Sequence, residues 1–221
     1  MRVRPAEIAS RIDHTLLFPG ATAAQIRGLC DEARRYGFAA VCVASSRAAL
    51  ASECLRGSPV KVAAVVGFPH GSALALAKAC EAREAVRSGA GEIDMVVNLG
   101  ALLDGDWKAV RDDIRGVVEA ASGRPVKVIL ETGALTDEQK IAGAVIARSA
   151  GAAYVKTSTG FGPGGATVAD VRLLARVVGR AMGVKASGGI RTFAEASALL
   201  RAGASRIGTS SGVAMVADVG P

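Results

Sequence analysis

The sequence predicts one α/β domain, a single (β/α)8 TIM barrel with a short N-terminal extension, over residues 1–221. Three observations carry that expectation. Eight short apolar, β-branched runs alternate with longer helical patterns. The helical patterns open on threonine capping signals. They close on glycines that precede the next run by a few residues. A strand–helix unit repeated in this way gives an all-parallel sheet, and eight units close into a barrel. Such a barrel needs about 200 residues at its smallest, so a second domain is not expected. An open, doubly wound sheet is the main alternative.

The strand candidates are residues 12–16, 38–43, 61–66, 93–97, 126–130, 153–156, 184–186 and 206–208. Thr22-Ala-Ala-Gln25 has the capping-box pattern, in which the hydroxyl and the N3 side chain each accept a backbone N–H. Ile26, Leu29, Cys30 and Ala33 follow at helical spacing. Thr136-Asp-Glu-Gln139 opens a helix with Ile141 and Val145, and Thr167-Val-Ala-Asp170 one with Val171, Leu174 and Val178. Thr192-Phe-Ala-Glu195 opens one with Leu199 and Leu200. Ser72 and Asp106 are expected to cap two more. Gly37, Gly89, Gly123, Gly151, Gly179 and Gly203 stand where a left-handed residue ends a helix.

Composition narrows the function. Half of the residues are hydrophobic and 21% are charged, as in a globular domain with a sizeable core. A net charge of +7 favours an anionic ligand. The basic residues form no run and aromatics are only 4%, which argues against nucleic acid. The four cysteines, Cys30, Cys42, Cys54 and Cys80, contain no C-x-x-C pair, and the histidines are two, His14 and His70. Neither a disulfide framework nor a metal site is expected from them. The segment from Met1 to Leu17 is charged throughout, unlike a signal peptide, and no apolar run nears the ~18 residues of a membrane helix. The expected compartment is the cytoplasm, with no membrane partner.

Strands of a parallel barrel are buried on both faces, so charges inside them need a reason. Asp94 lies in Glu92-Ile-Asp-Met-Val-Val-Asn98, Lys156 ends Ala153-Tyr-Val-Lys156, and Lys185 ends Gly183-Val-Lys185. Alternation puts Asp94, Val96 and Asn98 on one face and Ile93, Met95 and Val97 on the other. If the apolar partners face the helices, all three charges face the barrel axis. Both lysines end their strands on the side where barrel active sites lie. A structural ion pair, or lysines that reach solvent, would be the plainer explanation for any one of them.

Two lysines and an acid suit imine chemistry. A neutral amine attacks a carbonyl, and the resulting imine withdraws electrons. Ordinary lysine, with a pKa near 10.4, is almost wholly charged at pH 7. A second ammonium ~6 Å away at an effective dielectric of ~20 disfavours the charged form by ~2.8 kcal/mol, or ~2 pK units. One of the two lysines can thus be a nucleophile because the other stays charged, and Asp94 can hold that second lysine or a water and pass protons. No metal or other cofactor is needed. Glycine-rich segments follow these strands: Thr157-Ser-Thr-Gly-Phe-Gly-Pro-Gly-Gly165, Ala186-Ser-Gly-Gly-Ile190 and Gly208-Thr-Ser-Ser-Gly212. Glycine-rich turns of this sort bind phosphate, and barrels often hold it after the seventh and eighth strands. Gly188, Gly189, Gly208, Ser210 and Ser211 are the candidates there.

Several stretches resemble the deoxyribose-phosphate aldolase family. They are Glu92-Ile-Asp-Met-Val-Val-Asn98, Tyr154-Val-Lys-Thr-Ser-Thr-Gly-Phe161, Gly164-Gly-Ala-Thr-Val-Ala-Asp-Val171, Val184-Lys-Ala-Ser-Gly-Gly-Ile-Arg-Thr192 and Ile12-Asp-His-Thr-Leu-Leu17. The resemblance covers nearly the whole chain. It implies a class I, metal-independent aldolase that cleaves 2-deoxy-D-ribose 5-phosphate reversibly to acetaldehyde and D-glyceraldehyde 3-phosphate in deoxyribonucleoside catabolism. It implies Lys156 as the Schiff-base lysine, Lys185 as the lysine that lowers its pKa, and Asp94 as the proton carrier. It adds Gly160 to Gly189, Gly208 and Ser210 at the phosphate, and it places Asp13 and Thr15 near the substrate. A dimer or tetramer would be ordinary for such a barrel. Phe161 stands where some members carry a lysine, and the chain ends at Val219-Gly-Pro221 without the tyrosine tail of others. Cys42 resembles a strand cysteine that makes some members aldehyde-sensitive, although a small buried core residue is the plainer reading. His14 and His70 are expected in packing or loops, and Trp107 at a helix start. The rival functions are another imine-forming or transaldolase-like barrel and a non-catalytic phosphosugar-binding barrel.

Overall fold

The β-branched runs do form strands, and hydrogen bonding between the first and last of them decides between barrel and open sheet. The computed structural model describes residues 5–217, so the Val219-Gly-Pro221 end and the first residues of the leading segment lie outside the described residues. Its strands are β1 (Ile12–Leu16), β2 (Ala40–Ala44), β3 (Lys61–Val66), β4 (Glu92–Val96), β5 (Val126–Ile129), β6 (Tyr154–Lys156), β7 (Gly183–Ser187) and β8 (Arg206–Thr209). Each pairs in parallel with the next, and β8 pairs with β1, giving a closed barrel. The open-sheet alternative is thereby excluded.

The α-helices among the described residues are α1 (Pro5–Ala9), α2 (Ala23–Tyr36), α3 (Ala48–Cys54), α4 (Ala75–Arg87), α5 (Leu99–Leu103), α6 (Trp107–Ala120), α7 (Asp137–Ser149), α8 (Val168–Val178), α9 (Phe193–Ala202) and α10 (Gly212–Ala217). Helix α1 precedes the first strand and is the short extension. Thr22, Thr136 and Thr192 form complete capping boxes with Gln25, Gln139 and Glu195. Asp106 caps α6 through the Ala109 N–H. All six helix-ending glycines have positive φ. No helix among the described residues is long and apolar enough to cross a membrane.

Some local expectations are corrected. Ser72 caps nothing, because α4 begins at Ala75 with Leu74 at the N-cap and no side-chain cap bond. Thr167 accepts the Asp170 N–H, but the Asp170 carboxylate pairs with Lys140 at 2.7 Å, tying α8 to α7. Ile141 and Val145 are 39% and 42% exposed. Helix α7 instead buries Gly143, Ala144 and Ala147, and a Cβ on Gly143 would lie 3.1 Å from Leu130. Small residues let that helix approach the sheet closely, which leaves its larger apolar side chains on the flanks.

The core has two layers. Ile93, Met95, Val97, Val155 and Val184 belong to the large cluster between strands and helices. Inside the barrel the apolar packing is a small separate group, Cys42, Ala63 and Val65. Val96 and Ile129 share the interior faces of β4 and β5 with Asp94 and Lys127, so charge and apolar side chains fill the interior together.

Candidate active site

Strand alternation aims Asp13 of β1, Asp94 of β4, Lys127 of β5, Lys156 of β6 and Lys185 of β7 at the barrel axis. All five are buried. Register sets Asp94 opposite Lys127 on β4–β5 and Lys156 opposite Lys185 on β6–β7, with Lys156 two residues further up the β5–β6 pair than Lys127. Gly208 of β8 makes room for the lysine stem, since a Cβ there would lie 3.0 Å from Lys185 Cε.

Asp94 is the hub. Its Oδ2 accepts from Lys156 Nζ at 2.9 Å and from Lys185 Nζ at 2.7 Å. Its Oδ1 accepts from Lys127 Nζ at 2.7 Å. Lys185 also donates to Asp13 Oδ2. Asp13 Oδ1 accepts from Arg206 Nε at 2.9 Å, and Arg206 forks onto both oxygens of Glu92 at 2.7 and 2.6 Å. Lys127 closes the network on Glu92 at 2.6 Å. Isolated charges at this depth would be very costly; here each is paired.

The pairing fixes charge states. Burial opposes ionisation of Asp94, but Lys127, Lys156 and Lys185 outweigh it and hold its carboxyl well below the ordinary aspartate range. Burial likewise opposes the Asp13 charge, and Lys185, Lys127 and Arg206 overcome it. Burial disfavours the Lys185 ammonium, yet Asp13 and Asp94 raise its pKa above that of ordinary lysine. Lys127 is raised for the same reasons, by Asp94 and Asp13 against its burial. The cluster holds carboxylates from Asp13, Glu92 and Asp94, and cations from Lys127, Lys156, Lys185 and Arg206. Cations are therefore in excess by one.

The network reaches outward at both ends, through Glu92 and Arg206 at the strand starts, each 13% exposed, and through Lys156 at the other. A cavity of about 350 Å³ lies at the C-terminal mouth, and Lys156 is the one network cation that lines it among the described residues. Thr15, Gly160, Gly188, Gly189, Gly208 and Ser210 line the same cavity, with Thr159, Phe161 and Ser187. Ser211 does not; its N–H donates to Thr209 Oγ1 and its carbonyl accepts from Met215 at the start of α10. Asp94 and Lys185 sit below the cavity, behind Lys156. Asn98 is not on the strand face with Asp94: β4 stops at Val96, and Asn98 caps α5 through the Ala101 N–H.

Other expectations resolve individually. The Cys42 thiol lies 3.9 Å from Asp94 Oδ2, and burial pushes its pKa up. His14 is buried against Phe38 with Nε2 2.6 Å from Glu32, while His70 is exposed in a loop. Trp107 starts α6 and is 45% exposed. Phe161 is exposed at the mouth and packs edge-on against Phe68, centroids 5.4 Å apart. Lys127, Glu92 and Arg206 do not stand out in the sequence, although Lys127 follows the same alternation as Lys185, with Val126 and Val128 facing out.

Comparison with known proteins identifies the family. The family described as DeoC/LacD family aldolase matches residues 8–217. A protein from Thermococcus gammatolerans named deoxyribose-phosphate aldolase is 56% identical over 214 residues, covering 95% of each chain. One of the same name from a Geobacillus species is 54% identical over 210 residues, covering 95% of this chain and 94% of its own. The tetrameric deoxyribose phosphate aldolase structure from Aeropyrum pernix superposes with a TM-score of 0.91 at 39% identity, covering 97% of this chain and 91% of that one. A barrel with a lysine-lined mouth and a family match over nearly its whole length leads to one conclusion: this chain belongs to the DeoC/LacD aldolase family and is a lyase.

Proposed function

We propose that the chain is a class I deoxyribose-phosphate aldolase, cleaving 2-deoxy-D-ribose 5-phosphate reversibly through an imine on Lys156. The observation that carries this reading is the position of Lys156, the single lysine of a buried network that opens on the cavity. Lys127 and Lys185 are enclosed among carboxylates, so Lys156 is the network lysine a carbonyl compound in the cavity can reach.

The chemistry then follows. The Lys156 amine adds to C1 of the open-chain sugar, and water leaves as the imine forms. The protonated imine draws the C2–C3 bonding electrons as that bond breaks. The C3 hydroxyl proton departs to Asp94 through a water, and C3 becomes the aldehyde of D-glyceraldehyde 3-phosphate. The enamine left on Lys156 takes a proton at C2, and water releases acetaldehyde. Lys185 stays charged throughout and orients Asp94. No metal or other cofactor takes part in these steps. Thr15, Gly160, Gly188, Gly189, Gly208, Ser210 and Ser211 are the residues we assign to the sugar phosphate, Ser211 through its N–H bond to Thr209, which lines the cavity. The compartment consistent with four free cysteines is the cytoplasm, the role is deoxyribonucleoside breakdown, and the working state is a homo-oligomer.

The direct test is product formation from 2-deoxyribose 5-phosphate by EDTA-treated protein, with acetaldehyde and glyceraldehyde 3-phosphate measured separately. Equal yields of both support the reading. Binding of the sugar phosphate without cleavage would favour a phosphosugar-binding barrel instead.

A further inference from the structure

Glu131 is a buried carboxylate outside the lysine network. It follows β5, is 6% exposed, and has no cation among its described partners. Its backbone is left-handed, with φ 59° and ψ 60°, a conformation that costs a non-glycine residue energy. Glycine or asparagine would fit that backbone more easily. A long acidic side chain held there is therefore serving a contact.

The contact is with the loop after β6. Both Glu131 oxygens lie 3.3 Å from the Thr159 N–H, and Oε2 also accepts from the Thr159 hydroxyl. That hydroxyl in turn accepts from the N–H of Phe161 at 3.0 Å and of Gly162 at 3.3 Å. One carboxylate thus fixes four consecutive residues, of which Thr159, Gly160 and Phe161 line the substrate cavity. The two loops are joined elsewhere as well. Thr132 N–H donates to Thr157 O at 2.9 Å, and a Cβ on Gly133 would overlap the Pro163 carbonyl. On the far side, Ala166 N–H donates to Gly188 O at 3.0 Å. The β6 loop is held between its neighbours, and Glu131 is the charged member of that clamp.

We infer that Glu131 is a positioning residue that sets the Thr159–Gly160–Phe161 rim for the end of the substrate farthest from Lys156. The inference rests on the aldolase reading above. The carbonyl end of the substrate must reach Lys156, so the remaining length of the molecule meets this rim.

The test compares two reactions of the full-length protein. Glu131→Gln keeps size and shape but turns an amide N–H2 towards groups that need an acceptor. The expected result is a KM for 2-deoxyribose 5-phosphate raised about tenfold, the effect of losing a charge-assisted hydrogen bond. The kcat changes much less, and the rate of borohydride trapping of acetaldehyde on Lys156 is unchanged, because acetaldehyde does not reach the rim. Thr159→Val should reproduce the KM effect, and Thr159→Ser, which keeps the hydroxyl, should recover most of it. It also carries the test if Glu131→Gln folds poorly. An unchanged KM in both Glu131→Gln and Thr159→Val overturns the inference. So does a fall in trapping rate that parallels the rise in KM, which would mark Glu131 as a general support of the barrel. Failure of the unsubstituted protein to trap acetaldehyde would instead count against the aldolase reading itself.

Discussion

Lys156 and Lys185, partners across the β6–β7 pair, donate to the same oxygen of Asp94, at 2.9 and 2.7 Å. Two ammonium groups on one oxygen atom are close enough to repel each other. The difference between them lies in their other partners. Lys185 is also held by Asp13, whereas among the described residues Asp94 is the one carboxylate on Lys156, which faces the cavity.

Replacing Asp94 with asparagine keeps the shape and removes the hub's charge. Three buried lysines then lose a counter-ion, which should lower stability by about 3–5 kcal/mol. Loss of the proton carrier should lower kcat by ~10²–10⁴. Thermal unfolding and steady-state cleavage of the sugar phosphate check the two effects separately. Retention of near-normal turnover would remove Asp94 from the mechanism.

Stability should depend on acid in a defined direction. The Asp13 and Asp94 carboxyls are held below their ordinary values, so their contribution is fully present above the unfolded aspartate pKa of ~4 and is lost as pH falls through their folded values. Lys127 and Lys185 are raised, so their contribution is present below ~10.4 and is lost only at more alkaline pH than that. Urea midpoints should therefore be nearly flat from about pH 5 to pH 9 as far as this cluster is concerned, and should fall below about pH 4. A midpoint that rises on acidification below pH 4 would contradict the assigned charge states.

Thiol labelling should divide the cysteines into two classes. Cys80 is exposed and Cys54 partly so, whereas Cys30 and Cys42 are buried. Burial pushes the Cys30 thiol up to about 12 and raises that of Cys42. In folded protein at pH 8, iodoacetamide should modify Cys80 and Cys54 well before the other two. Peptide mass mapping over time reads the order directly. Early modification of Cys42 would mean that the barrel interior is open to small electrophiles.

Phe161→Lys should add a cation at the mouth of the cavity, where the side chain is exposed. An extra charge ~6 Å from a phosphate gains under ~1 kcal/mol in water-like surroundings, so KM for the sugar phosphate should fall about threefold. The gain should shrink at high salt. KM measured at low and high ionic strength tests this, and no change at either would place the phosphate away from Phe161.

Much of the barrel is legible because its signals are local. Thr22 with Gln25 and Gly37 mark a helix within one stretch of chain, and alternation assigns Asp94 and Lys185 to the interior. Lys127 is equally readable by alternation, since Val126 and Val128 flank it as Ile93 and Met95 flank Asp94. Glu92 and Arg206 sit at strand starts, where charge is unremarkable, and only barrel closure brings them to Lys127 and Asp13. Glu131 depends on a left-handed backbone and on a partner in another loop, neither of which has a sequence period. Ser72 fails as a cap because its pattern matches a capping serine while the helix starts three residues later.

The central claim is the imine on Lys156, and borohydride reduction with acetaldehyde tests it most directly. Peptide mass mapping should find an ethyl adduct on Lys156 of the unsubstituted protein and none at that site in Lys156→Leu. An adduct on Lys185 or on Lys127 instead, or no adduct in correctly folded protein, would contradict the account.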